Sequence, residues 1–229
     1  PDKEHAVRIV KLGFPVALQS GLFTGFAMII ARIIAQWGPV PIAVQKIGSQ
    51  IEAISWLTSS GFQTAMAAFV GQNYGAGKWP RVRRGYRAGM TIMSVIGISA
   101  TLLLTLAPRQ LFSIFVSEEE TIRHGIVYLQ ILGLSQLFMC IESTSAGAFN
   151  GLGRTIPPSV VSITFNALRI PAALILSSTA LGLDGVWWSI SMSSVFKGLV
   201  LTTWFIIMLR RNPEAGGALD IESSLAGQK

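Results

Sequence analysis

With 229 residues, 51% of them hydrophobic and only 13% charged, the chain has too few polar side chains to cover a water-soluble globule, whose charged share is about 25%. Its net charge of +7 would suggest nucleic acid in a soluble protein. The densest basic run, Arg81 to Arg87, has only Trp79 and Tyr86 as aromatic neighbours, too little for a stacking platform or a groove-reading element, so nucleic acid is not expected as a partner.

The chain begins at Pro1, with Asp2, Lys3, Glu4 and His5 leading into the first apolar stretch, and reads as the continuation of something longer. A spanning helix needs about 20 mainly apolar residues, and six stretches qualify: Phe14 to Gln36, Ile42 to Gly71, Ala88 to Ala107, Ile126 to Asn150, Ile156 to Leu181 and Val186 to Leu209. Each is too long for a strand. In the hydrocarbon core every backbone N–H and C=O must be satisfied within the segment or in a closed barrel, and the absence of two-residue alternation argues against a barrel. The predicted fold is therefore all-α, a polytopic membrane protein with the lipid bilayer as its solvent. Residues 1–11 form a cytoplasmic lead-in, residues 12–211 a six-helix transmembrane lobe, and residues 212–229 a flexible cytoplasmic tail of Pro, Gly, Ser and acid. The first stretch has no small-residue cleavage site, so it is not a removable signal. One cysteine, Cys140, cannot build a disulfide framework or a thiolate metal cluster; it reads as a small packing residue.

Lys and Arg near span ends mark the cytoplasmic side. Lys3, Arg8 and Lys11 precede the first stretch, Lys78, Arg81, Arg83, Arg84 and Arg87 join the second to the third, Arg154 joins the fourth to the fifth, and Arg210 and Arg211 close the sixth. All fall on one face. The opposite connections hold Arg109 and Arg123 beside Glu118, Glu119 and Glu120. Both termini are thus expected in the cytoplasm, in a plasma (inner) membrane.

Six ionisable residues fall inside the apolar stretches: Arg32, Lys46, Glu52, Glu142, Arg169 and Lys197. Each costs about 3 kcal/mol or more in lipid, so they point to a protein interior or a wet cavity. Arg32 and Lys46 lie close to the Trp37 to Pro41 connection, from which long side chains can reach the headgroups. Glu52 shares a three-to-four-residue spacing with Gln45, Ser49, Trp56, Ser59 and Gln63, which places them on one helix face. Glu142 stands among Gln136, Ser143, Thr144 and Ser145. Low dielectric disfavours a charged carboxylate, which suits a group that gains and loses a proton during a transport cycle, and Glu142 and then Glu52 are the candidates. Arg169 and Lys197 are mid-span. Either they pair with a glutamate to fix helix packing, or they compete with a proton or a substrate for it.

Pro171 reads as a bending point or a static kink. Gly21-x3-Gly25 and Gly147-x3-Gly151 have the spacing that lets helices approach closely.

The run from Gly61 to Lys78, GFQTAMAAFVGQNYGAGK, followed by the basic Arg81 to Arg87 loop, resembles the signature of the MATE (multidrug and toxic compound extrusion) family, and GAFNGLGRTIP from Gly147 to Pro157 resembles that family's small-residue motif between the fourth and fifth helices of each half. The resemblance covers about residues 8 to 211 and implies the second lobe of a twelve-helix, two-lobe secondary antiporter. It implies export of cationic or amphipathic compounds in exchange for protons or sodium, with the N-terminal six-helix half as partner and no bound cofactor. Family members often carry an acid about two turns beyond the proline of the lobe's first helix, where this chain has Phe23, and another near Met139, where the nearest acid is Glu142, one turn later. On this reading Glu142 and Glu52 couple the ion, while Gln19, Gln50, Asn166 and Arg169 line the substrate cavity.

An enzyme is not expected. His5 and His124 lie outside the spans, so no intramembrane nucleophile and base or metal site is offered. There is no Walker-type phosphate loop either. Two other readings stand beside the antiporter. One is a flippase of similar two-lobe fold moving an anionic lipid-linked precursor, favoured if Arg169 and Lys197 leave the cavity positive. The other is a six-helix channel or structural membrane subunit.

Overall fold

The computed structural model describes residues 3–211, and among these the regular structure is helical throughout. Helix α1 spans Lys3–Ile34, and a single 3-10 turn at Ala35–Trp37 leads to α2, Pro39–Gly75. Then follow α3 (Trp79–Leu106), the short α4 (Pro108–Ser113), α5 (Glu119–Gly133), α6 (Gln136–Gly151), α7 (Ile156–Ser177) and α8 (Leu183–Arg211). Most of the segment expected as a lead-in is already helical, as the backbone of α1 runs from Lys3. The tail expected at 212–229 lies outside the described residues.

By length and composition, α1, α3, α7 and α8 can cross a membrane, and the bent α5–α6 pair adds a fifth when its two helices are taken as one span. Helix α2 is the longest at 37 residues, roughly 55 Å, but its amide, hydroxyl and charged side chains make it less apolar than the others. It packs along α6, α3 and α5, which sets it across the same layer. Its buried positions, Pro41, Val44, Gly48, Ile51, Ser59, Met66, Val70 and Asn73, recur at helical spacing and form one inward stripe.

Three expectations change. The basic run Arg81 to Arg87 is not a loop: Pro80 opens α3 within its first turn, where a missing N–H costs nothing, and the arginines occupy its first turns. The short α4 intervenes between the third and fourth spans. The fourth span is not one helix from Ile126 to Asn150 but two, bent by 43° at Leu134–Ser135.

Helix α7 continues through Pro171 to Ser177. The break falls at Gly133-Leu-Ser135, a Gly/Ser combination that weakens a helix without a proline. Hydroxyl groups take up the carbonyls there. Ser191 of α8 donates to Ile131 O (2.8 Å), Ser135 to Leu132 O (2.8 Å) and Thr101 of α3 to Gly133 O (2.9 Å). Irregular backbone at membrane depth persists only where it is buried and satisfied in this way.

Helices α2 and α6 make the tightest approach. A Cβ on Gly147 would collide with the backbone of Gln63, and one on Gly151 with the carbonyl of Ala67. Gly21 and Gly25 face open space, so that spacing holds no contact within the lobe. The α2–α3 and α6–α7 turns have matching ends. Gly77 (φ 68°) and Gly153 (φ 71°) are left-handed, and the following Lys78 and Arg154 N–H groups return to Asn73 O (2.8 Å) and Phe149 O (3.0 Å), the glycine cap that closes a helix. Both turns, and the end of α8, lie at the basic end of the lobe.

The apolar core is divided. One cluster holds Ile34, Val44, Ile51, Leu104, Phe112, Tyr128, Leu129 and Trp187. The other holds Met66, Val70, Val82, Tyr86, Phe149, Leu201 and Phe205. The helices α2, α6, α7 and α8 also carry buried polar side chains, among them Ser59, Thr144, Asn166 and Lys197.

Candidate functional site

Between these cores, α2 supplies Glu52 and Ser59, α6 supplies Glu142 and Thr144, α7 supplies Asn166 and Arg169, and α8 supplies Ser193 and Lys197. The ionisable side chains meet there because each of the four helices carries its polar segment at the same height. Exposing any of them to lipid would cost several times the energy of an apolar contact.

Lys197 Nζ lies 3.4 Å from Glu142 Oε2, with the two side chains only 11% and 16% exposed. Arg169 Nε donates to Ser193 Oγ at 2.9 Å, and that hydroxyl donates in turn to Ile190 O. The guanidinium stands within electrostatic reach of Glu142, Tyr128 and Glu52. Glu52 lies within interaction range of Arg169 and of the Tyr128 hydroxyl, while its Oε1 is buried without a hydrogen bond. Tyr128 is held from two sides: its ring lies directly on Gly48, where a Cβ would collide with it, and meets Trp187 edge-to-face with centroids 5.3 Å apart. Gly48 is one turn before Glu52 on α2. The glycine thus admits the ring that reaches the carboxylate.

Two carboxylates and two cations therefore share one layer, and their formal charges balance. Glu142 and Lys197 form a direct pair, Arg169 serves both acids, and Glu52 has no direct ion pair among the described residues. A buried pair of this kind tolerates ionisation only while both partners are present. Removing or neutralising one charge disturbs the others.

Asn166, one turn before Arg169, is 2% exposed; its amide donates to Ser162 Oγ at 3.3 Å and its Oδ1 has no partner. Of the six residues singled out from the sequence, Glu142, Glu52 and Arg169 come together and Asn166 adjoins them. Gln50 is exposed, since two residues from Glu52 is about 200° around the helix. Gln19 is half-buried on α1, away from that helix's buried end at Ile30 to Ile34. Arg32 and Lys46 both point out of the lobe. Cys140 is fully buried, its Sγ 3.3 Å from Ser59 Oγ, and it packs against Gly97.

Lys197 was legible as a mid-span cation but not as the partner of Glu142. Tyr128 carried no signal, because a tyrosine in an apolar stretch is ordinary and only the glycine one helix away makes room for it. The pairing of Ser193 with Arg169 was equally hidden, one serine among several on α8.

The MatE family model matches residues 15–175. A probable multidrug resistance protein NorM of Thermotoga maritima is 28% identical over 208 residues, which are 90% of this chain and 45% of that protein. The probable multidrug resistance protein YpnP of Bacillus subtilis is 26% identical over 198 residues, 86% of this chain and 44% of the relative. The chain spans about half the length of the curated relatives it matches. Among solved structures, a MATE crystal structure in the straight conformation superposes with a TM-score of 0.84 at 19% identity, covering 92% of this chain and 48% of that one. A MOP superfamily transporter from Pyrococcus furiosus, described as having a binding pocket of reverse polarity, matches with a TM-score of 0.84 at 20% identity, with 92% and 48% covered. With its membrane-crossing helices, its buried charged layer and a family match over most of its length, the chain belongs to the MatE family, a family of transporters and not of enzymes.

Proposed function

We propose that this chain is the second six-helix lobe of a multidrug efflux antiporter, and that it exports cationic or amphipathic compounds in exchange for protons or sodium. The observation that carries this reading is the charged layer, in which Glu142 meets Lys197 at 3.4 Å and Arg169 lies within electrostatic reach of both Glu142 and Glu52. An intramembrane ionisable cluster is by default a transport pathway. Here neutralising one carboxylate releases a cation to the other acid, and so changes contacts among α2, α6, α7 and α8 at once. Glu142 and Glu52 are the coupling acids in this proposal. Asn166 and Arg169 supply polar groups towards the cargo, and Gln19 and Gln50 lie on surfaces of the lobe left for the N-terminal half. Both termini face the cytoplasm of a plasma (inner) membrane, in keeping with the basic end of the lobe.

The anionic-cargo reading draws less support from this arrangement, because Glu142 and Glu52 offset Lys197 and Arg169. The test is efflux of a fluorescent cation by the complete transporter in vesicles, driven in turn by a proton and by a sodium gradient, for wild type, Glu142→Gln and Glu52→Gln. Loss of gradient-driven efflux with dye binding retained is expected for at least one variant. Undiminished efflux by both would remove the coupling role from this lobe.

A further inference from the structure

The charged layer leaves unused a second concentration of charge, at the end of the lobe where α2 meets α3, α6 meets α7 and α8 ends. Lys78, Arg81, Arg84, Arg87, Arg154 and Arg210 are all exposed there. No Asp or Glu occurs between Glu52 and Glu118, or between Glu142 and Asp184, or between Asp184 and Arg211. These turns therefore hold cations and no carboxylate. Topology requires basic residues at this end, but it does not require where they converge.

Three guanidinium groups from different elements bear on the last turns of α8. Arg83 is committed to the helix itself, its Nη2 donating to Leu209 O at 3.0 Å, where it offsets the carbonyl end of α8. Arg154 comes from the α6–α7 turn and reaches Met208 Sδ at 3.4 Å, a weak acceptor that leaves most of its five donors free. Arg210 is exposed on α8 itself. Directly inward from these two, α8 presents an apolar groove lined by Leu199, Val200, Thr203, Trp204 and Ile207. These positions form one helical stripe about 12 Å long, and Arg210 continues it one turn on from Ile207. Trp204 is braced from α6 by an edge-to-face contact with Phe149, centroids 6.2 Å apart.

We propose that the outer face of α8 binds one anionic phospholipid, its phosphate held between Arg154 and Arg210 and an acyl chain laid along Leu199 to Ile207. Charge complementarity selects the occupant. An acyl chain fits the groove whatever its headgroup, but a headgroup with net negative charge gains from two exposed guanidiniums that, among the described residues, have no acid paired with them. Planar, forked donors suit a phosphate's oxygens, and basic pockets at the edge of transmembrane helices are known to take such headgroups. The site is separate from the charged layer and does not depend on what the transporter carries.

The test uses the full-length transporter containing this chain, reconstituted in nanodiscs with brominated phosphatidylglycerol or brominated phosphatidylcholine of the same acyl chains, with tryptophan fluorescence as readout. The anionic lipid should quench more strongly than the zwitterionic one, and W204F should remove that difference. The double variant R154Q/R210Q should reduce the preference for the anionic lipid roughly tenfold or more, with zwitterionic quenching unchanged, while R154K/R210K, which keeps the charge but not the fork, should retain part of it. Equal quenching by the two lipids in wild type would mean that α8 is covered by ordinary annular lipid, and would overturn the proposal. So would a preference that survives either R154Q/R210Q or W204F.

Discussion

Lys197 and Glu142 are each too costly to bury alone, and their 3.4 Å contact makes the cost of each conditional on the other. Glu142→Gln leaves an ammonium with no direct acid partner in the lobe interior, and removing one partner of a buried pair costs about 3–5 kcal/mol. The variant should melt at a visibly lower temperature in detergent. Glu142→Gln combined with Lys197→Met should recover much of that loss, because the pair is then replaced rather than broken. A double-mutant cycle in thermal unfolding checks this, and additive losses would show that the pair does not act as a unit. Tyr128 makes a different prediction. Tyr128→Phe keeps the ring on Gly48 and against Trp187 but removes the hydroxyl that lies within interaction range of Glu52. It should leave stability within about 1–2 kcal/mol of wild type, the worth of one hydrogen bond, while shifting the pH dependence of transport by the complete protein if Glu52 titrates in the cycle. A pH profile of efflux, with melting as control, separates these effects. Glu142 and Glu52 were legible as candidates because a carboxylate in an apolar stretch is rare. Which cation meets which acid was not, because pairing depends on which helices lie side by side.

Helix packing supplies a contrast at the next scale. Gly147→Val places a branched side chain against the Gln63 backbone of α2, which cannot move aside as a flexible side chain would, and should cost several kcal/mol or prevent folding. Gly25→Val, in the other small-residue spacing, meets nothing within 4 Å inside the lobe and should leave the lobe's stability near wild type. Detergent melting of the two proteins distinguishes them. The bend at Leu134–Ser135 is predicted to be held by its hydroxyls. Thr101→Val and Ser191→Ala each strip a donor from a carbonyl freed at the break, at about 0.6–1.7 kcal/mol apiece on the scale of interhelical hydrogen bonds in membranes. Backbone amide exchange around Ile131 to Ser135 should rise in both. Hydropathy registers whether side chains prefer lipid, not whether the backbone is continuous, and so the stretch from Ile126 to Asn150 looked like one helix.

Considered whole, the lobe is two apolar cores separated by a charged layer and closed at one end by arginines. The family resemblance implies a second lobe facing it, and transport by rocking one lobe against the other. Vesicles holding only residues 1–229 should then fail to accumulate a fluorescent cation under a proton gradient, and accumulation would refute the need for a partner.

Composition and the lengths of the apolar stretches determined by themselves that this is a helical membrane protein, because in hydrocarbon the backbone has so few ways to satisfy its own hydrogen bonds. The run from Gly61 to Lys78 and the motif from Gly147 to Pro157 carried the family, as both rest on glycines that a left-handed helix cap or a close helix contact demands at those positions. Tertiary structure alone decided that Gly48 makes room for Tyr128, that α8 rather than another helix presents a lysine to Glu142, and that the fourth span breaks where α3 and α8 can cap it. Each of these depends on the rotation and register of one helix against another. A single sequence records the period of a helix but not the angle at which it is turned towards its neighbours.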